Sequence, residues 1–374
     1  MLLTSVVVAL EYIVQYHSDA KVQADVVIGD FKASFVSKDA ARKMYKNEQV
    51  KRVVKNSIKH LVYERPTWGI GQGDLSPVKD DVKGTQSNPP SWGIDRIDSR
   101  SGLDNKYVYP SVAGEGTTAY IVDTGINVSH DDFEGRATFG SDFTGEGLFD
   151  GNGHGSHVAG TIGGKTYGVA KKVNLVAVRV LNSQGSGEDE GIIKGLEWVV
   201  NDAKAKNTKA TINMSIGGEP SQVLDDAVNA VVAQGIVVVV AAGNENGDAC
   251  LSSPASAKDA ITVGATDKND RRASFSNYGT CVDVNGPGVA ITSAWKGSNS
   301  IFKTISGTSM ATPHVAGVAN LYLALGVQNV TEAILENATP NAIKGLGNGT
   351  PNLLVYNELA NSPQQDKTSG LFDY

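Results

Sequence analysis

Four side chains in this sequence have the types and settings needed for acyl transfer. The first is Ser309, in the run S-G-T-S-M-A-T-P-H-V-A-G at 306–317. Gly307 permits a tight turn, and Thr308 and Ser309 suit the first turn of a helix. From Ala311 the run becomes small and apolar, as in a central helix with close neighbours. A serine at such a helix mouth has an outward hydroxyl and a backbone N–H backed by the positive end of the helix dipole. A nucleophile whose attack creates an oxyanion needs both. The plainer reading is that Thr308 or Ser309 only caps a buried helix.

Ser309 needs a base, and the chain has six histidines. His17 and His60 lie near the N-terminus and His130 sits in a polar loop. His314 lies five positions beyond Ser309, about 140° round the same helix, and faces away. That leaves His154 and His157 in D-G-N-G-H-G-S-H-V-A-G at 150–160. His154 is framed by Gly153 and Gly155 at the mouth of a helix, whereas His157 lies a turn deeper beside Val158 and Ala159. His154 is therefore the expected base and His157 a structural histidine. A metal pair is the other reading of the two, but no thiolate or carboxylate in the motif obviously completes it.

A histidine base needs a carboxylate to hold its tautomer. Asp123 ends the apolar run Y-I-V-D-T-G, and strand C-termini are where α/β folds gather their sites. Taken alone, it reads better as a cap or turn aspartate. Asn244, in V-A-A-G-N-E-N at 240–246, lies just past another apolar strand, where its amide can donate to developing negative charge. Its alternative is a turn asparagine. The order Asp123, His154, Asn244, Ser309, all at element ends, is more specific than any one of them.

The elements that must position these residues read as α/β from about residue 92. Strands are expected at 118–122, 174–180, 210–215, 236–241 and 260–265, and helices at 189–204 and 222–234, besides the Ser309 helix. Such alternation implies a mostly parallel sheet with helices on both faces. Before it, residues 11–63 read as a small α+β unit: a strand at 11–16, a strand or hairpin at 26–36, a helix at 38–45, and closing strands at 50–54 and 58–63. Residues 65–90, rich in Gly, Pro, Asp and Ser, read as an exposed linker, and 361–374 as a polar tail.

A length of 374 residues leaves room for one large domain and a smaller unit. The net charge of −7, without a basic cluster interleaved with aromatics, argues against a nucleic-acid partner. Residues 1–84 hold 13 Lys and Arg against 10 Asp and Glu, leaving 20 against 30 for the rest, a pattern consistent with two units that dock. No apolar run is long enough to span a bilayer. The opening M-L-L-T-S-V-V-V-A-L is either a truncated signal segment or a first strand. Cys250 and Cys281 form no C-x-x-C pair; in an oxidising compartment they could bridge, and otherwise they are two buried thiols.

The segments D-T-G-I at 123–126, G-H-G-S-H-V-A-G-T at 153–161 and G-T-S-M-A-T-P-H at 307–314 resemble the three signature motifs of subtilisin-like serine proteases, whose Asp, His, Ser order is the same. The resemblance is closest to the proteinase K-like branch, through A-S-F-S-N-Y-G at 273–279 and P-N-L-L-V-Y at 351–356. It implies a subtilisin-like three-layer α/β fold with a mostly parallel sheet. It assigns Ser309 as nucleophile, His154 as base, Asp123 as its partner and Asn244 as the oxyanion amide. In substrate binding it implies two edge segments, Gly185, Ser186 and Gly187 on one side and Ser215, Ile216 and Gly217 on the other, between which a polypeptide adds as a strand. Ala241, Ala242 and Gly243 match the wall of a roomy apolar pocket for the residue before the scissile bond. Cys250 and Cys281 match a disulfide of some members. Asp283, with the carbonyls of Lys258 and Ala260, matches a structural calcium site; catalysis itself needs no cofactor.

The resemblance further implies an inhibitory propeptide over 11–64, through Y-I-V at 12–14 and D-F-K-A-S-F at 30–35, although the first two strands leave no room for the helix usual between them. The resulting map is a signal segment at 1–10, the propeptide, a linker at 65–84, a peptidase domain at 85–360 and the tail. Cleavage is expected between Glu64 and Asn88. The expected product is a broad-specificity endopeptidase secreted as a zymogen, monomeric, with an extracellular or else vacuolar destination. Two rivals are a catalytically silent binding module on the same fold and a dinucleotide-dependent dehydrogenase. No catalytic residue is missing, which disfavours the first, and no full G-x-G-x-x-G opens a helix, which disfavours the second.

Overall fold

Residues 10–62, 71–72 and 83–357 are described by the structure, a computed structural model. The expected signal segment and polar tail, and most of the expected linker, lie outside the described residues.

The N-terminal unit is a four-stranded antiparallel sheet with one helix. It comprises β1 (Tyr12–Tyr16), β2 (Val26–Ile28), β3 (Phe31–Val36), α1 (Lys38–Met44) and β4 (Val50–Lys55), in the order β2-β3-β1-β4. Gly29, in the left-handed region, and Asp30 make the two-residue turn between β2 and β3. Along these strands Val26, Ile28, Phe31, Ala33 and Phe35 alternate to one face and are buried.

The closing strand departs from expectation. β5 (Ile58–Leu61) does not join this sheet but leaves the unit and pairs on both edges with the main domain. Alternation shows that a segment is extended; it does not say which edge it meets. β6 (Gly71–Gln72) is short, and β7 (Lys83–Ser87) lies within the stretch expected as linker. Having no apolar residue, β7 gives periodicity nothing to detect. Its backbone pairs antiparallel with β8 (Lys106–Pro110), which follows α2 (Trp92–Ile97). At Gly84 the Tyr109 ring lies so close that a Cβ would come within 2.5 Å of it. The expected boundary at 84/85 therefore falls inside a strand.

The main domain then runs β9 (Thr117–Asp123), β10 (Ala137–Asp142), α3 (His154–Gly163), β11 (Asn174–Arg179), β12 (Ser186–Glu188), α4 (Asp189–Lys206), β13 (Lys209–Met214), β14 (Ile216–Gly217), α5 (Gln222–Val232), β15 (Val237–Ala241) and β16 (Ile261–Thr266). It ends with β17 (Val284–Pro287), β18 (Ile291–Ala294), β19 (Ile301–Ile305), α6 (Thr308–Ala324), α7 (Val330–Asn337), β20 (Thr339–Pro340) and β21 (Leu353–Leu354). The central sheet has the order β10-β11-β9-β13-β15-β16-β17-β21-β20, parallel except for β20.

Both faces of this sheet are buried, as an α/β layering requires. On β9, Ala119 and Ile121 join the core that holds Val158 of α3 and Val315 of α6. Tyr120 and Val122 join the opposite core, with Leu196 of α4 and Val228 of α5. Truncating Ile121 to alanine would cost about 2–5 kcal/mol through lost burial and the cavity left behind. The expected three layers are present.

The N-terminal sheet covers the outer side of α4 and α5, and its Val26, Ile28, Phe31 and Phe35 belong to the same core as those helices. At the rim, Lys51 and Arg52 of β4 reach Asp226 of α5 at 2.8 and 3.3 Å. The basic unit thus meets an acidic helix, although exposed pairs of this kind contribute little stability each. Cys250 and Cys281 form a disulfide with a Cα–Cα distance of 5.3 Å.

Candidate active site

Strand ends and helix mouths bring the chemically capable residues to the C-terminal edge of the sheet. Asp123 is the last residue of β9 and is fully buried. Its two carboxylate oxygens each lie 2.9 Å from His154 Nδ1, and Oδ1 also accepts the Thr124 N–H at 2.7 Å. A carboxylate only accepts, so Nδ1 carries the proton and Nε2 is left as the basic nitrogen.

His154 opens α3, and that opening is pinned to the end of β9. Thr124 Oγ1 accepts the Gly155 N–H at 3.0 Å and donates to Asp150 Oδ1 at 2.9 Å. Asp150 also accepts the Gly153 and Ser156 N–H groups at 2.7 and 3.0 Å and the Ser156 hydroxyl at 2.6 Å. It thereby satisfies N–H groups that a helix start leaves open. Burial pushes its carboxyl up from the usual range, opposed by these hydrogen bonds. A Cβ at Gly155 would lie 2.0 Å from the Gly125 carbonyl, so only glycine lets α3 approach this closely. Sequence reasoning missed Thr124 and Asp150; the aspartate and threonine inside the motifs were the available signal.

His157 is fully buried, with Nε2 at 3.0 Å from the Ile291 carbonyl and 3.1 Å from that of Lys303. Burial holds its pKa down to about 3. It is committed to tying α3 to β18 and β19.

Ser309 is the second residue of α6, and α3 and α6 pack side by side under the sheet. Its hydroxyl donates to the Ser215 carbonyl at 3.0 Å, so its one proton does not go to His154 in this conformation. Its backbone N–H donates to the Val62 carbonyl at 3.3 Å. Asn244 Oδ1 accepts both the N–H and the hydroxyl of Thr308, at 3.0 and 2.9 Å. Because a backbone N–H can only donate, these bonds fix which way the amide faces. Asn244 Nδ2 is buried and meets no acceptor among the described residues. Of these two donors, the Ser309 N–H is taken up by the Val62 carbonyl and Asn244 Nδ2 is left without an acceptor among the described residues.

β5 lies between the two edge segments. It pairs antiparallel with β12, His60 opposite Ser186 and Lys59 opposite Gly187, and with β14, Leu61 opposite Ile216 and His60 opposite Gly217. The Leu61 N–H donates to the Gly185 carbonyl at 3.0 Å. This is strand addition, with the chain's own segment as the added strand. The carbonyl presented to Ser309 is that of Val62, just upstream of the window between Glu64 and Asn88 in which cleavage is expected. Val62 is buried, its Cγ2 within 2.9 Å of where a Gly217 Cβ would stand. Gly217 and Gly243 border a cavity of about 290 Å³ that also has Glu219, Glu245 and Asp248 on its lining. The cavity is roomy, but its rim is more acidic than glycine and alanine walls imply. Of the three residues expected as walls, Gly243 lines this cavity, whereas Ala241 ends β15 and Ala242 packs against Ala249, Ala255 and Val282.

Asp283 Oδ2 accepts the Thr262 N–H at 2.8 Å, and burial raises its pKa to about 6. Lys258 and Ala260 lie on the turn that leads into β16. Among the described residues no group of three or more His, Cys, Asp or Glu side chains is placed to hold a metal ion. No helix among them is long and apolar enough to cross a membrane.

The chain as a whole is similar to known proteins. The profile of the subtilase family matches residues 114–357. Subtilisin-like protease 7 of Arthroderma otae is 50% identical over 276 residues, covering 73% of this chain and 68% of that protein. The extracellular serine proteinase of a Thermus species is 53% identical over 277 residues, covering 72% of this chain and 66% of its own length. The crystal structure of a cold-adapted subtilisin-like serine proteinase superposes with a TM-score of 0.69 at 46% identity, covering 73% of this chain and all of that one. The chain belongs to the subtilase family of serine-type peptidases.

Proposed function

We propose that this protein is a secreted serine endopeptidase of broad specificity, made as a zymogen. The observation that carries the reading is β5, which lies as a strand in the cleft with the Val62 carbonyl on the Ser309 N–H. A substrate would lie the same way, its P1 residue (the one before the scissile bond) in the place of Val62.

In this reading the Ser309 hydroxyl turns from the Ser215 carbonyl toward His154 and attacks the P1 carbonyl carbon. His154 Nε2 takes the hydroxyl proton, and Asp123 holds the tautomer and stabilises the imidazolium. The Ser309 N–H and Asn244 Nδ2 hold the oxyanion. Collapse of the tetrahedral intermediate breaks the peptide bond, and His154 gives its proton to the leaving amine. Water then repeats the sequence on the acyl-enzyme. Val62 in its buried place supports an aliphatic P1 residue, and the cavity of about 290 Å³ bordered by Gly217 leaves room for an aromatic one.

The N-terminal unit is then the propeptide, which inhibits by occupying the cleft after cleavage following Val62. Extracellular delivery fits the name of the Thermus relative. By the family resemblance, the Asp283 carboxyl, whose pKa burial raises, and the carbonyls of Lys258 and Ala260 would hold one calcium ion, which would stiffen the β16–β17 region without entering the chemistry. If so, chelation lowers the melting temperature of the wild type but not of Asp283→Asn. The experiment for the central reading is hydrolysis of a denatured protein substrate by the purified protein. Turnover that vanishes in Ser309→Ala supports it; equal turnover in both would refute it.

A further inference from the structure

With Val62 at P1, Lys59 stands at P4, opposite Gly187 of β12. Its side chain is 0% exposed. A lysine buried to this degree needs a charged partner. Its Nζ lies 3.1 Å from Asp189 Oδ1 and 2.7 Å from Ser57 Oγ. Asp189, at the start of α4, is also 0% exposed, and its Oδ2 accepts the hydroxyls of Ser57 and Ser221 at 2.6 and 2.7 Å. Nearby, Asp225 of α5 is 4% exposed; its Oδ2 accepts the Ser256 hydroxyl at 2.6 Å, while Oδ1 meets no donor among the described residues. The aliphatic stem of Lys59 passes Gly218, where a Cβ would stand 3.1 Å from Lys59 Cδ. Only Ser57 among these partners belongs to the N-terminal unit. The two carboxylates, Ser221 and Gly218 stay with the main domain when that unit leaves.

We propose that the P4 subsite is a cation pocket in which Asp189 takes the ammonium group of a substrate lysine, making the enzyme selective for a basic residue at P4. This rests on the peptidase reading above and adds the substrate class. In the open cleft water solvates Asp189. A substrate strand laid over it expels that water, and an aliphatic or aromatic P4 side chain would leave a buried carboxylate with little more than the Ser221 hydroxyl. A P4 lysine restores the ion pair, and a P4 glutamate adds repulsion. Selectivity arises as much from the penalty on the wrong residue as from the attraction of the right one. Removing one partner of a buried, hydrogen-bonded charge pair weakens binding by well over tenfold, so a P4 preference of at least about tenfold is expected.

The test uses active enzyme obtained from the full chain and four peptides, acetyl-Xaa-His-Leu-Val p-nitroanilide with Lys, Ala, Phe or Glu as Xaa. The expected order of kcat/KM is Lys above Ala and Phe by about tenfold or more, with Glu lowest. In Asp189→Asn the Lys-to-Ala ratio falls toward one. Because the wild-type series needs no folded variant, it decides by itself: Ala or Phe equal to or above Lys overturns the cation pocket while leaving the peptidase intact. Failure to cleave any of the four, together with no reaction of Ser309 with a fluorophosphonate, overturns the peptidase reading and this inference with it.

Discussion

The backbone N–H of Ser309 donates to the carbonyl of Val62 at 3.3 Å, so the serine proposed as nucleophile addresses the end of the chain's own N-terminal unit. If that carbonyl is the one attacked during maturation, the active protein begins at Tyr63. N-terminal sequencing of the active form checks this, and a start within the downstream stretch toward Asn88 would show that another bond is cut. The Ser309→Ala chain should retain its N-terminal unit covalently.

Asn244→Ala should lower kcat by about 10²–10³ while KM changes little, the size seen for a subtilisin oxyanion donor. Thr308 holds the Asn244 carbonyl oxygen, so the amide is set before any substrate arrives. Steady-state kinetics on a small peptide separates the two constants. A matched change in both would mean that the amide binds substrate rather than the transition state.

The Cys250–Cys281 bridge closes a loop with a sequence separation of 31. Losing it in Cys250→Ser with Cys281→Ser should cost about 3–4 kcal/mol by the loop-entropy model. Urea unfolding in the Ser309→Ala background, where self-digestion cannot interfere, measures it. A cost near zero would place the benefit of the bridge elsewhere.

Acid sensitivity should trace in part to His314. Its Nδ1 lies 2.8 Å from the Met310 carbonyl and therefore carries the proton, and burial holds its pKa down to about 4. Unfolded, it titrates near 6.5. The unfolded chain then binds a proton that the native state refuses, so the stability tied to neutral His314 is full above about pH 6.5 and is lost as pH falls toward 4. Relative to His314→Leu, the wild type should lose about 1–2 kcal/mol between pH 6.5 and 5. His157 acts in the same direction but is common to both proteins. A constant gap between the two stability curves would remove His314 from the account.

What was legible in the sequence follows from how locally each feature is specified. The end of β9 and the mouths of α3 and α6 are written in their own neighbours: an apolar strand running into Asp123, glycines around His154, and small residues after Ser309. Gly155 shows why, since its contact with the Gly125 carbonyl leaves no freedom for a side chain. The alternating α/β pattern was legible because the strands in the middle of the sheet, β9, β11, β13, β15 and β16, are buried along nearly their whole length and so read as apolar runs. The destination of β5 was not legible, because extended residues look alike whichever edge they meet. Nor was β7, held by backbone bonds that carry no side-chain signal. The Lys59–Asp189 pair is the extreme case, with each partner reading alone as an ordinary surface charge while the structure buries both.

The most direct test of the central claim is to react the active protein with a fluorophosphonate and locate the adduct by mass spectrometry. The account expects a single adduct on Ser309, slowed strongly in His154→Ala and absent in Ser309→Ala. An adduct on another residue, or undiminished labelling of Ser309→Ala, would contradict it.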